Sequence, residues 1–88
     1  RNRPQECWSL AISHEVLGNL FQELGQTQEA EKAYRDTQVL WRKLVADFNI
    51  EDDRWHLAIN YDALGGLLRG AGRFDEATEA YRQALSEG

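Results

Sequence analysis

Leu17-Gly18-Asn19-Leu20-Phe21-Gln22-Glu23-Leu24-Gly25-Gln26-Thr27-Gln28-Glu29-Ala30-Glu31-Lys32-Ala33-Tyr34-Arg35 decides the fold of this chain. Around and before Gly25, the apolar residues Trp8, Ala11, Ile12, Leu17, Leu20, Phe21 and Leu24 recur at spacings of three and four, the stripe of an amphipathic helix. Gly25 predicts a left-handed C-terminal cap, because glycine reaches positive φ without the steric cost of a Cβ. Thr27 then offers an N-cap, with Glu29 near the positive end of the helix dipole. The next helix carries Ala30, Ala33, Tyr34, Thr37, Leu40, Trp41, Leu44, Val45 and Phe48 on one side, with no Gly or Pro to stop it before about residue 47. A short turn between two such helices makes them antiparallel neighbours.

The same text returns 47 residues later. Trp8-Ser9-Leu10-Ala11-Ile12 lies over Trp55-His56-Leu57-Ala58-Ile59, Leu17-Gly18 over Leu64-Gly65, Gly25 over Gly72, and Ala33-Tyr34-Arg35 over Ala80-Tyr81-Arg82. Without a gap, 14 of 41 aligned positions are identical, against roughly one in fifteen expected by chance at average residue usage. The expected architecture is therefore all-α, a right-handed α-solenoid fragment of two antiparallel hairpins. Its four helices fall roughly at 4–24, 28–47, 50–70 and 75–86. The first unit spans residues 1–48 and the second 49–88. Asn2 and Asn49 are the expected N-caps of the first helix in each unit, with Pro4 in the first turn, where its missing N–H costs nothing.

Composition narrows the function. The chain has 88 residues, a net charge of −5, one cysteine (Cys7) and one proline (Pro4). No disulfide can form within it, and a lone thiol fits a reducing compartment. Beginning on Arg rather than Met, it reads as a piece cut from a longer protein. Residues 1–44 are neutral overall, whereas 45–88 hold four basic and nine acidic residues. That balance argues against nucleic acid and against an anionic membrane, both of which need a basic patch. There is no apolar run long enough to span a bilayer and no secretory signal pattern.

At these residues the sequence resembles the tetratricopeptide repeat family. The family's Leu-Gly, large residue, Ala, aromatic and small residue fall on Leu17-Gly18, Phe21, Ala30, Tyr34 and Thr37, and again on Leu64-Gly65, Leu68, Ala77, Tyr81 and Ala84. Its turn glycine falls on Gly25 and Gly72. The resemblance covers nearly the whole chain and implies that Gly18, Gly65, Ala30 and Ala77 sit where paired helices cross, with Tyr34 and Tyr81 filling space toward the following helix. Three features depart from the family. The period is 47 rather than about 34 residues, Arg42 stands at the helix-ending proline, and His14 and Tyr61 stand at the early tryptophan. Without that proline the second helix runs on, the third starts early, and each gains about two turns of roughly 5.4 Å. Trp8, Trp41, Phe48 and Trp55 are expected to pack these extensions together. Such long periods resemble bacterial tetratricopeptide arrays.

No residue set argues for catalysis. Cys7 has no acidic residue or second Cys to complete a site with His14. His56 with Asp52 and Asp53 has helical metal-ligand spacing but reads as an acidic first turn. Leu64-Gly65-Gly66-Leu67 lies in a helix pattern rather than in a phosphate loop. The chain is expected to be a non-enzymatic, cytoplasmic scaffold without cofactor or metal. The family resemblance implies peptide binding on the concave face of the first helices. Candidate partner-binding residues there are Glu15, Asn19, Gln22 and Glu23, then Asp62 and Arg69, with Ile12, Val16, Ile59 and Ala63 at the border. Asn19 matches one slot of the family's carboxylate clamp, but Glu15 and Asp62 stand where basic residues are needed. The expected partner is a protein or peptide of basic or mixed charge. Two alternatives are a self-assembly module joined through its open repeat ends and a repeat domain appended to a catalytic domain elsewhere.

Overall fold

The computed structural model describes residues 4–87 as four helices: α1 (Gln5–Glu23), α2 (Thr27–Phe48), α3 (Glu51–Gly70) and α4 (Phe74–Glu87). Among the described residues there is no strand. The expected boundaries agree to within one residue, the usual latitude of a helix end. α1 packs on α2, α2 on α3 and α3 on α4. The result is a slab 41 Å long and 14 Å thick, in which each helix leans chiefly on its chain neighbours.

The two glycine turns are built alike. Gly25 has φ 76° and Gly72 φ 80°. The Gln26 N–H donates to Phe21 O at 2.8 Å and the Gly25 N–H to Gln22 O at 3.1 Å; Arg73 to Leu68 (2.9 Å) and Gly72 to Arg69 (3.0 Å) repeat the pair. Both are Schellman closures that satisfy the last carbonyls of α1 and α3.

The expected caps need correction. Asn49 does not start α3. It ends α2, in the left-handed region at φ 50°, its N–H on Val45 O at 2.9 Å, and Ile50 takes the N-cap position. Asparagine tolerates that conformation better than other residues bearing a Cβ. Thr27 is already helical, with Gln26 at the cap position and no side-chain cap bond. Pro4 precedes α1 at its N-cap position rather than lying in its first turn, and Asn2 lies outside the described residues.

Two apolar clusters hold the slab together. One joins Ala30, Tyr34, Leu64, Leu67, Leu68, Ala77 and Ala80 across α2, α3 and α4. The other joins Ala11, Trp41, Leu44, Leu57 and Tyr61, with Trp8 and Phe48 packed against it. This second cluster is what the added helical turns create. Trp55 departs from expectation: it is mostly exposed, in a T-shaped contact with His56 at 5.6 Å.

Candidate protein-binding surface

The crossings of the paired helices repeat at the same 47-residue spacing. A Cβ on Gly18 would lie 2.7 Å from the Tyr34 ring, and one on Gly65 would lie 2.9 Å from the Tyr81 ring. Each glycine thus lets its own hairpin's tyrosine lie flat against the first helix. The expected direction of the tyrosines, toward the following helix, is thus only part of their packing. Tyr34 does also border α3, since its carbonyl accepts from Asn60 Nδ2 at 2.9 Å and its ring joins Leu64 and Leu67.

The candidate residues of α1 divide into two kinds. The Tyr34 hydroxyl lies 2.8 Å from Asn19 Oδ1 and 2.8 Å from Gln22 Oε1, so both amides are committed within the hairpin. A phenol has one proton and donates it to one of them at a time. Burial, with the charges of Glu15 and Glu23 nearby, holds the Tyr34 phenol above its ordinary range. Glu23 is exposed. Glu15 is half-buried and reaches across to α3, its Oε1 3.7 Å from His56 Nδ1. His56 in turn stacks flat on Trp41 at 4.6 Å and 8°. Trp41 therefore roofs the point where Glu15 of α1 meets His56 of α3. Sequence reasoning weighed His56 only as a metal ligand beside Asp52 and Asp53, and its stack on Trp41 has no signal in the spacing. Among the described residues no group of three or more His, Cys, Asp or Glu converges as a metal site would.

On α3, Asp62 and Arg69 are exposed. The 47-residue shift places Gly66 at Asn19 and Arg69 at Gln22, so Tyr81 has no matching pair of amides. Asn60 was missed by sequence reasoning. It is 1% exposed and ties α3 to the α2 backbone. Its signal was a polar residue among the apolar positions of α3.

A polar network clasps the two hairpins from outside. Arg73 donates to Glu31 Oε1 at 2.6 Å and to Glu76 at 2.7 Å, while Arg35 pairs with Glu31 at 3.0 Å and stands 3.8 Å from Glu76. Arg73 holds both Glu31 and Glu76 below the ordinary carboxylate range, and Glu76 and Glu31 raise Arg73 further.

Apolar residues of α1 are open where their α3 counterparts are sealed. Leu10 is 49% exposed, Leu17 42% and Leu20 47%, whereas their counterparts on α3, Leu57, Leu64 and Leu67, are 2%, 2% and 7% exposed. α3 has α2 on that side, and among the described residues no helix packs on the equivalent side of α1.

Stacked helical hairpins with glycine crossings and two apolar clusters define a helical-repeat fold. Tetratricopeptide repeat family models match at residues 11–36 and 61–86, together more than half of the chain. The chain belongs to the tetratricopeptide repeat family, whose repeats serve in general as protein–protein interaction modules and are typically non-catalytic. The curated proteins and the solved structures yield no match. No helix among the described residues is long and apolar enough to cross a membrane.

Proposed function

We propose that the chain, read as repeat units 1–48 and 49–88, holds a protein or peptide segment of basic or mixed charge along the faces of α1 and α3. The observation that carries this reading is the state of the candidate side chains. The carbonyl oxygens of Asn19 and Gln22 face the Tyr34 hydroxyl within the hairpin, and Glu15, Glu23 and Asp62 against Arg69 are the charges a partner meets. Three carboxylates and one guanidinium repel an acidic tail and draw a basic one. The single thiol and the bacterial-type period support a reading as a cytoplasmic bacterial scaffold.

The test is an array of immobilised Lys/Arg-rich and Asp/Glu-rich peptides probed with the chain. Basic peptides are expected to be retained, less so as salt rises, and less by Glu23→Lys and Asp62→Lys variants of unchanged helicity. Equal retention of acidic peptides overturns the reading.

A further inference from the structure

We infer that the groove between α3 and α4 receives the outer face of α1 from a second copy of this chain, so that copies join head to tail. This goes beyond the binding of a peptide partner and stands without it. The groove is apolar, about 450 Å³, and lined by Ala58, Ile59, Asp62, Tyr81, Ala84 and Leu85. Subtracting 47 from each number gives Ala11, Ile12, Glu15, Tyr34, Thr37 and Gln38. Those residues belong to α1 and α2, the pair on which α3 rests: Tyr34 O accepts from Asn60, and Glu15 faces His56. The groove is thus the second hairpin's version of a seat that the first hairpin already fills with α3.

The other end of the molecule carries the matching half. α2, through Arg35, Gln38 and Arg42, borders an inner cleft that includes Tyr61, Leu64, Leu68 and Ala80. The same residues shifted back by 47 are His14, Leu17, Phe21 and Ala33, and they line an open cleft on α1 and α2. The leucines that seat α3 against α2 therefore have exposed equivalents on α1 in the same register.

Charge selects a second copy over any other apolar helix. Arg35 of α2 stands 3.8 Å from Glu76 of α4 across the inner junction. The shift turns this pair into Arg82 and Glu29, both present and both exposed. In the head-to-tail complex Arg82 faces Glu29 of the second copy. The residue equivalent to Trp41 is Gly88, so the junction carries no indole at that position. Such an interface is heterologous and does not close on itself.

Sedimentation of the whole chain from about 10 µM to about 1 mM, the range in which weak interfaces dissociate, tests this. The weight-average mass is expected to rise from the 10.1 kDa of one chain and to pass that of two chains without a plateau. Leu85→Glu in the groove and Leu20→Glu on α1 each block one face, so each alone is expected to stay near the single-chain mass. Mixed, they keep one intact face apiece and form a pair that stops at two chains. Arg82→Glu and Glu29→Arg, both at exposed positions, give the same pattern if the leucine variants lose helicity. Glu23→Lys, outside the groove, leaves association unchanged while weakening peptide retention, which separates the two proposals. A constant single-chain mass, a plateau at two chains for the unmodified protein, or a mixture that fails to pair overturns the inference.

Discussion

The two hairpins are written from one template and end in different states. Leu17 and Leu64 occupy the same repeat position beside the same glycine, yet Leu64 is sealed and Leu17 is largely exposed. The difference lies in the neighbours, since α3 has a helix on either side and α1 has one. Burial here is a property of the stack rather than of the residue, as expected where each repeat contacts only the next. The contrast breaks most visibly by truncation. Leu64→Ala is expected to cost about 2–5 kcal/mol, since it empties a packed site. Leu17→Ala, measured by urea unfolding at low micromolar concentration, is expected to cost below about 1 kcal/mol, as at other surface positions. Equal losses would mean that α1 is covered in solution.

The glycine crossings give the next largest difference. Both Gly18→Ala and Gly65→Ala push a methyl group into a tyrosine ring. Tyr34 is 1% exposed and its hydroxyl is engaged by two amides, so it cannot swing away. Gly18→Ala is expected to destabilise by about 1–3 kcal/mol through overpacking. Tyr81 is less buried and lacks the amide pair, so its ring can yield. There the helix-propensity gain of about 0.5–1 kcal/mol for replacing glycine offsets much of the clash, and Gly65→Ala is expected to fall near neutral in thermal unfolding. Tyr34→Phe should cost about 0.5–1.5 kcal/mol, the worth of a typical hydrogen bond. Tyr81→Phe should leave the melting temperature unchanged.

These asymmetries mark how far the sequence could be read. The helix count and the glycine turns follow from period and residue type, because each depends on a few residues close in the chain. The buried side of α2 was legible for the same reason: Ala30, Ala33, Tyr34, Thr37, Trp41 and Leu44 are all buried. The openness of the α1 stripe has no signal in its spacing, because 3.6-residue periodicity shows that a face is apolar and cannot show whether anything covers it. Asn49 was misread because one residue type serves both as an N-cap and as a left-handed C-cap. At the candidate surface, Asn19 and Gln22 looked free because their partner, the Tyr34 hydroxyl, comes from the other helix of the hairpin. Trp55 and Trp41 were taken as equals. Trp41 is buried in the cluster with Ala11, Leu44, Leu57 and Tyr61, whereas Trp55 on α3 stays mostly exposed.

The smallest effect also sets one hairpin against the other. Arg73 leads into α4 where Gln26 leads into α2, so only the second glycine turn carries a guanidinium between two carboxylates. The hydrogen bond from Arg73 is the main reason that Glu31 is held below its unfolded value of about 4.5. A depressed carboxylate adds stability that is fully present above the unfolded value and is lost as pH falls through the folded one. Acid unfolding should therefore include a contribution from this cluster that begins near pH 4.5 and grows below it. Because Arg73 and Glu76 are solvated, salt should shrink that contribution. Arg73→Gln, which gives the second turn the residue of the first, is expected to narrow the stability difference from the unmodified chain as pH drops from about 6 to about 3. Gln26→Arg lies within the first hairpin, beside Glu29 at the position equivalent to Glu76, and is expected to leave this pH dependence nearly unchanged. A parallel acid profile for Arg73→Gln and the unmodified chain would show that the clasp is not formed in solution, and the inner junction would then rest on Asn60 and the apolar clusters alone.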